Sequence, residues 1–293
     1  DADLVALTPA RSRVPEVLGG YQKPESDYVR AVNPLRSDWE IMRPTLVPSL
    51  LKVVAENLKF TEQVPIFETA RVYQPEGRNS LPDERRAVAI VMAGAREPFS
   101  LYRSSTDEYD FFDIKGVVEL LLQRLGASDA TFKRISHPSL HPGRAAAIEY
   151  RGEQIGMIGE LHPKIAGNFE IESRVCVSEI DLRVFAETLN DPWSASSVSR
   201  FQPVRQDFAI VVDEGVAVAD VEAALRSGAG PLASSVDLFD VYRGTGIDDE
   251  KKSLAFRVTL SAPDRQLAEY EVERIRNKIE QNVKKRVGGS IRS

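Results

Sequence analysis

With 293 residues the chain is long for one domain, and its length favours two. Hydrophobic residues make up 42% and charged residues 28%, which is typical of a globular protein, and no apolar run approaches the length of a membrane span. Cys176 is the only cysteine, so the composition also excludes an internal disulfide framework and suits a reducing cytoplasm.

The net charge of −6 is spread unevenly along the chain. From Ala195 onward there are 15 basic and 15 acidic residues, so the preceding residues carry the whole acidic excess. A neutral C-terminal part is compatible with RNA binding without predicting it.

The N-terminal residues 1–32 contain many Pro and Gly breakers and no sustained period. This composition predicts a poorly ordered arm or one that depends on a partner. The first residues also lack the basic-then-apolar order of a signal peptide, and they lack an initiator Met, so we expect either a fragment or a processed chain.

The next 160 or so residues mix helical and strand patterns. One helix begins at Pro48, since proline is tolerated in a first turn, and a second covers residues 110–126 and ends at Gly126. Their predicted apolar positions are Leu50, Leu51, Val54 and Leu58 in the first and Ile114, Val117, Val118, Leu121 and Leu125 in the second. Strands are predicted over residues 64–74, 86–94, 145–150, 155–163 and 175–182. Hairpin-like connections in place of regular βαβ units make α+β the fold class.

A Ser-rich segment, residues 190–200, is the predicted linker to a second domain. Beyond it the predicted order is strand 206–213, helix 216–228, a hairpin of strands 236–242 and 253–260, helix 267–287 and a closing strand 288–292. The apolar stripes are Val218, Val221 and Leu225 in the first helix and Val272, Ile275, Ile279 and Val283 in the second. The order β-α-β-β-α-β is the ferredoxin-like plan, in which helices cover one face of the sheet and the other face is open.

The hairpin is the most informative stretch of the sequence. Its second strand alternates cleanly, with Leu254, Phe256, Val258 and Leu260 on one face and Ser253, Ala255, Arg257 and Thr259 on the other. The first strand adds Asp237, Phe239 and Tyr242. A face of Tyr, Asp, Ser and Arg suits a nucleic-acid base, which stacks on aromatic rings and pairs through its edges. The alternative interpretation is an ordinary half-solvated hairpin.

Other signals for chemistry are weak. Phosphate-binding and nucleophile motifs are absent from the sequence, and Glu68 has no paired base or nucleophile beside it. His137, His141 and His162 each precede proline, which disfavours a shared helix face for a zinc site. A structural role in loops is therefore the favoured interpretation of the three histidines, and a metal-dependent hydrolase is the alternative. No metal ligand is assigned.

Several longer motifs together resemble a known family. Residues 33–60, PIFETARVY, YDFFDIKGVVELLL, HPGRAAAI and IGMIGELHP resemble the catalytic-like module of the bacterial phenylalanine–tRNA ligase beta subunit. FQPVRQDFAIVVD, LFDVYRG and KKSLAFRVTL resemble the ferredoxin-fold anticodon-binding domain that ends that subunit. The motifs run in the family's order over residues 33–292. The resemblance implies a class II synthetase-like, antiparallel-sheet scaffold over residues 1–194 and an anticodon-binding domain over residues 199–293.

The resemblance also implies a division of labour within the enzyme. Pro48 resembles the motif-1 proline, whereas Glu68 keeps a motif-2 acid without the arginine before it, and no glycine-rich motif-3 stretch is present. We therefore expect no catalytic residues here and no cofactor bound by this chain, with ATP and Mg²⁺ used by the whole enzyme. The implied partners are the catalytic alpha subunit in an alpha2beta2 heterotetramer, met through the helix of Pro48, Leu50 and Val54, and tRNA(Phe); no membrane is implied.

The resemblance implies the residues of the anticodon site as well. Those that line the surface for the first anticodon base are Asp240, Tyr242, Ala209 and Ser253, and Arg205 and Arg243 are the expected phosphate contacts. In this interpretation Tyr242 stacks, Asp240 and Ser253 hydrogen-bond to base edges, and Ala209 leaves room for a flat ring. Because ferredoxin-like sheets have many functions, a small-molecule regulatory module is the alternative for the second domain.

Overall fold

A computed structural model describes residues 7–8, 28–34, 41–76, 80–98, 107–188 and 200–292. The chain divides into two compact units, residues 1–194 and 195–293. Most of the predicted arm and nearly all of the predicted linker lie outside the described residues. Of the arm, Leu7–Thr8 (β1) pairs antiparallel with Ile41–Met42 (β2), so this part of it has regular structure.

The first unit is built on one six-stranded antiparallel sheet. Its elements after β2 are α1 Val47–Asn57, β3 Gln63–Gln74, β4 Asp83–Gly94, α2 Phe111–Arg124, β5 Thr131–Arg134, β6 Leu140–Tyr150, β7 Glu153–Leu161, α3 Pro163–Asn168, β8 Val175–Asp181 and α4 Leu182–Thr188. The strand order is β3-β4-β8-β7-β6-β5, so β3 and β5 are the edges.

Strand β4 is buried on both faces because helices lie on both sides of the sheet. Ala89 and Val91 pack with α1, whereas Ile90 and Met92 pack with α2. This accounts for the continuous apolar run that the sequence shows there, since a strand covered on both faces does not alternate. The predicted helices and strands of this unit are present, although β6 begins five residues before its predicted start at residue 145, and β5, α3 and α4 were not predicted.

The buried stripe of α2 differs from the prediction. Ile114, Val118 and Leu122 are buried, whereas Val117 and Leu125 are exposed and Leu121 is only partly buried. The buried side chains follow a single i, i+4, i+8 line because the helix packs against a flat sheet and not into a groove. Gly126, with φ +86°, ends the helix as predicted.

The second unit has the predicted β-α-β-β-α-β order. Its elements are β9 Val204–Asp213, α5 Val218–Ala229, a 3₁₀ turn Gly230–Leu232, β10 Ala233–Tyr242, β11 Lys251–Leu260, α6 Glu269–Val287 and β12 Ser290–Arg292. The strand order is β10-β11-β9-β12, antiparallel throughout. With mixed helices and antiparallel sheets in both units, the α+β class is confirmed.

One face of this second sheet is covered by α5 and α6. Leu254, Phe256, Val258 and Leu260 are all fully buried against Val221 and Leu225 of α5 and Ile275, Ile279 and Val283 of α6. The predicted apolar faces of β11 and of both helices are thus confirmed, although Val218 and Val272 are only partly buried. The alternate side chains of the strands must then point to the other face.

The two helices approach each other closely at Gly228. A Cβ there would lie 2.7 Å from the Ile279 Cα, which is backbone and cannot rotate away. Gly116 in α2 is a matched helical glycine with nothing within 4 Å of its Cβ position.

We predict opposite effects of alanine at these two glycines. Gly228→Ala should lower the free energy of unfolding by about 1–3 kcal/mol, because the added methyl overpacks the helix crossing. Gly116→Ala should raise it by about 0.5–1 kcal/mol, because only the conformational-entropy gain remains. Urea unfolding of each variant measures both, and equal effects would contradict the packing seen at Gly228.

Candidate nucleic-acid interface

The open face of the second sheet contains a shallow floor between a carboxylate and a guanidinium. The strand registers place Asp240, Ala255, Ala209 and Arg292 side by side on β10, β11, β9 and β12. Adjacent strands lie about 4.8 Å apart, so this row is about 14 Å wide. Because its two middle positions are alanines, no side chain rises from the centre, and a flat ring has room to lie there.

An aromatic side chain stands in the next row of the same face. Tyr242 lies opposite Ser253, followed by Val211 and Ser290. Tyr242 is 41% exposed, and its hydroxyl donates a hydrogen bond to the Thr245 carbonyl at 3.2 Å. Ser253 is only 6% exposed, so little of its surface is available to a ligand.

The loop after β10 holds Tyr242 and approaches Arg292. Gly244 has φ +144° and its Cβ position is 3.2 Å from the Tyr242 hydroxyl, while Gly246 has φ +88° and a Cβ position 3.3 Å from the Arg292 Nη2. Both positive φ values favour glycine. A larger side chain at either position would also press on the tyrosine or the arginine, so the loop depends on both glycines.

A paired arginine occupies the third row. Arg257 donates two hydrogen bonds to Asp207, from Nε at 2.8 Å and from Nη2 at 2.7 Å. The hydrogen bonds from Arg257 hold the pKa of Asp207 below its ordinary value. The Arg257 guanidinium also lies 5.3 Å from the centre of the Phe239 ring.

The remaining cations of the site differ in whether they are paired. Arg205 is exposed on the open face opposite Thr259, and among the described residues neither its guanidinium nor that of Arg292 has a hydrogen-bonding partner. Arg243 lies just beyond β10, where its guanidinium is bound to Glu214 by hydrogen bonds of 2.6–3.2 Å. A phosphate at Arg243 would therefore compete with a carboxylate.

The structure thus brings most of the predicted anticodon residues to one surface. Asp240, Tyr242, Ala209 and Ser253 lie in two adjacent rows, with Arg205 further along the same face, and Arg243 lies beside it at the strand end. Sequence reasoning did not select Arg292, Asp207 or the Phe239–Arg257 pair as site residues. The alternation of β9 and β11 gives the face on which Asp207 and Arg257 lie, but the position of Arg292 depends on the pairing of β12.

In the first unit, α1 is the helix that was predicted to contact another subunit, and the side chains named for that contact point into the core of this unit. Pro48, Leu50 and Val54 are buried within this unit's own core. The outer side of α1 presents the exposed residue Val53, with Phe60 exposed just after the helix. Whether this helix contacts another chain stays a prediction, and any contact would involve the outer side.

Beneath α1 lies a polar cluster that sequence reasoning missed. Arg43, 3% exposed, donates to Glu68 Oε1 at 2.8 Å and to the Arg71 carbonyl at 3.2 Å. Glu179 accepts hydrogen bonds from the Thr45 hydroxyl and, at 3.4 Å, from the Leu46 N–H. Burial raises the pKa of Glu179 to about 7. Glu68, considered from the sequence as a motif-2 acid, is thus one half of a partly buried ion pair.

The three histidines have a common structural role. The Nδ1 atoms of His137, His141 and His162 each accept a hydrogen bond from the backbone N–H two residues later, all at 3.2 Å. Each imidazole thus closes a turn at its His-Pro step, and burial lowers the pKa of His137. No group of three potential metal ligands occurs among the residues that the structure describes. Within the same residues, no helix is long and apolar enough to cross a membrane.

Two family models match consecutive parts of the chain. The model described as the phenylalanyl tRNA synthetase beta chain CLM domain matches residues 12–182, more than half of the chain. The chain belongs to the phenylalanyl-tRNA synthetase beta chain family. The ferredoxin-fold anticodon binding domain model matches residues 199–292, the unit whose open face is described above. The family resemblance seen in the sequence is confirmed.

Curated relatives of this family support the same assignment. The chain is 37% identical over 284 residues to the phenylalanine–tRNA ligase beta subunit of Symbiobacterium thermophilum. The aligned region covers 95% of this chain and 32% of that protein. It is 31% identical to the protein of the same name from Clostridium acetobutylicum over 95% of this chain and 34% of that protein. For the Chromobacterium violaceum protein of the same name the identity is 36%, over 84% of this chain and 30% of that protein. The chain therefore spans about a third of the length of these relatives.

The polar cluster beneath α1 predicts a pH dependence of stability. The pKa of Glu179 is about 7 in the folded chain against an ordinary value of 4.5, so folding favours its protonated form. The stability that this protonation contributes is present below pH 4.5 and is lost as the pH rises to about 7. Glutamine cannot ionise, so Glu179→Gln should remove this loss of stability with rising pH. Urea unfolding between pH 4.5 and 7.5 measures it.

The matched control is Glu153→Gln at the exposed first residue of β7. This variant should keep the wild-type pH profile. If Glu179→Gln also keeps it, the carboxyl does not titrate in this range and the account of its burial is wrong.

Proposed function

We propose that this chain is the C-terminal part of a phenylalanine–tRNA ligase beta subunit and that its second unit binds the anticodon of tRNA(Phe). The observation that carries the proposal is the open face of the second sheet, with Tyr242, Asp240 and a floor of two alanines in adjacent rows. The match of residues 199–292 to an anticodon-binding family supports it.

The arrangement assigns a physical role to each residue. Tyr242 stacks on the first anticodon base, while Asp240, an exposed carboxylate, accepts hydrogen bonds from a base edge that carries N–H donors. Ala209 and Ala255 form the floor under the base, and Ser253, which is only 6% exposed, offers its hydroxyl to a base edge. Arg205 contacts a phosphate directly, and Arg243 does so in exchange for Glu214.

The first unit is proposed as a non-catalytic scaffold for the catalytic alpha subunit. In the whole enzyme, an alpha2beta2 heterotetramer of the cytoplasm, the alpha subunit would bind ATP, Mg²⁺ and phenylalanine. The one carboxylate retained from the class II pattern, Glu68, is neutralised by Arg43, which supports a structural role for it. Neither family model favours the alternatives of a small-molecule module or a histidine-based hydrolase.

The anticodon proposal predicts separable effects of two substitutions. Base–aromatic stacking contributes roughly 1–3 kcal/mol, so Tyr242→Ala should weaken tRNA(Phe) binding by about 5- to 150-fold for any first anticodon base. Asp240→Asn should mainly relax the preference among first-base variants, because an edge hydrogen bond discriminates and stacking does not. Filter binding of tRNA variants to the 293-residue chain measures both effects.

Thermal unfolding runs alongside, and both variants should melt with the wild type because both side chains are exposed on the open face. Intact folding with unchanged tRNA recognition in both variants would mean that RNA does not lie on this sheet.

The scaffold proposal makes a prediction about assembly. Val53→Asp places a charge on the outer side of α1, where the side chain is 46% exposed, and should prevent co-purification with the alpha subunit without unfolding the chain. Leu120→Asp, a matched control on the exposed side of α2, should leave the complex intact. A complex that survives Val53→Asp would place the interface elsewhere.

A further inference from the structure

A second aromatic side chain on the open face has no role in the site described so far. Phe239 is 56% exposed in the middle of β10, a position where a phenylalanine normally packs. The pairing of β10 with β11 is interrupted there: Leu238 pairs with Phe256 and Asp240 with Ala255, so Phe239 is the extra residue of a β-bulge. Bulges commonly redirect a side chain next to a functional site.

The redirected ring is backed by a fixed cation. The Arg257 guanidinium lies 5.3 Å from the centre of the Phe239 ring, and Asp207 holds that guanidinium with two hydrogen bonds. A bidentate pair fixes the plane of the guanidinium as well as its position. Phe239 and Arg257 therefore present two planar groups, a ring and a guanidinium, in a fixed arrangement.

We propose that Phe239 and Arg257 form a second base-stacking subsite, which takes the nucleotide next to the one on Tyr242. The proposal rests on the proposed function, since it places a second base of the same RNA on the same face. Phe239 and Tyr242 are three residues apart, about 10 Å along the strand. Sheets that bind single-stranded RNA stack two or three bases on exposed aromatics in this way.

The surroundings of Phe239 favour an RNA base over an apolar protein partner. The neighbouring side chains on the face are Asp237, Asp240 and Arg257, which do not form a continuous apolar patch. Arg205 and Arg292, exposed on the same sheet face, supply positive charge for the phosphates. Stacking uses the flat face that every base has, so binding between Phe239 and Arg257 is tolerant of base identity.

A double-mutant cycle between protein and RNA tests the subsite. The probe is an RNA hairpin with the anticodon loop of tRNA(Phe), made intact and with a single abasic site at each anticodon position in turn, and bound to the 293-residue chain. Phe239→Ala should weaken binding of the intact hairpin by about 5- to 150-fold. One of the abasic hairpins lacks the base next to the one on Tyr242. Phe239→Ala should cause no further loss of affinity for that hairpin, because the base that would stack on Phe239 is already missing.

The controls separate this inference from the proposed function. Tyr270→Ala removes an aromatic side chain that is even more exposed, 69% on α6, and should leave every affinity unchanged. Suppose that Tyr242→Ala weakens binding, and that Phe239→Ala either has no effect or weakens the binding of all hairpins equally. The proposal of a second subsite is then wrong, and the anticodon proposal stands. If neither substitution weakens binding, both proposals fail. Because Phe239 is exposed, Phe239→Ala should have the melting temperature of the wild type. A lower melting temperature together with an equal loss of affinity for all hairpins would also contradict the second subsite.

Discussion

The register of β11 between β9 and β10 is the constraint on which the open face depends. Leu254, Phe256 and Val258 are fully buried against α5 and α6, and each stabilises the fold by about 1.5–3 kcal/mol relative to an exposed side chain. A shift of one residue would move all of them to the solvent side, so the register is strongly determined. Their burial is what places Ser253, Ala255 and Arg257 on the opposite face. The helix layer and the candidate RNA site are thus two consequences of one pairing.

Local irregularities then shape that surface. The bulge at Phe239 breaks the alternation of β10, so two aromatic rings and the Asp240 carboxylate all reach the same side. The Gly244–Gly246 loop folds back so that the Thr245 carbonyl accepts a hydrogen bond from the Tyr242 hydroxyl, and a Cβ at Gly246 would lie 3.3 Å from the Arg292 guanidinium. Regular pairing supplies the flat floor, and these two departures from it supply the groups that hold a base.

Much of this architecture could be predicted from the sequence because the pattern is strong where one face is buried. The strict alternation of β11 and the 3.6-residue period of α6 indicated both elements and their inward faces. The stripe of α2 was misassigned at Val117 and Leu125, since apolar residues also occur on the outer side of that helix. Long-range pairs such as Arg43 with Glu68 and Thr45 with Glu179 were not predictable, because no local pattern encodes a partner on a distant strand.

The candidate site was predictable in its composition and less so in its geometry. Alternation placed Tyr242 and Ser253 on one face, but the burial of Ser253 and the pairing of Arg243 with Glu214 depend on how neighbouring segments fold. The anticodon roles came from the family resemblance and not from spacing. The sequence indicated that Phe239 lies on this face but gave it no role, because its contact with Arg257 depends on a bulge that alternation alone does not predict.

The central claim is that a single-stranded RNA base lies on the open face of the second sheet. Photo-crosslinking tests it most directly: tRNA(Phe) carrying a photoreactive pyrimidine in the anticodon is irradiated with the chain, and the attached peptide is identified by mass spectrometry. We expect attachment within β10, at Tyr242 or Phe239. Attachment confined to α5, α6 or the first unit would contradict it.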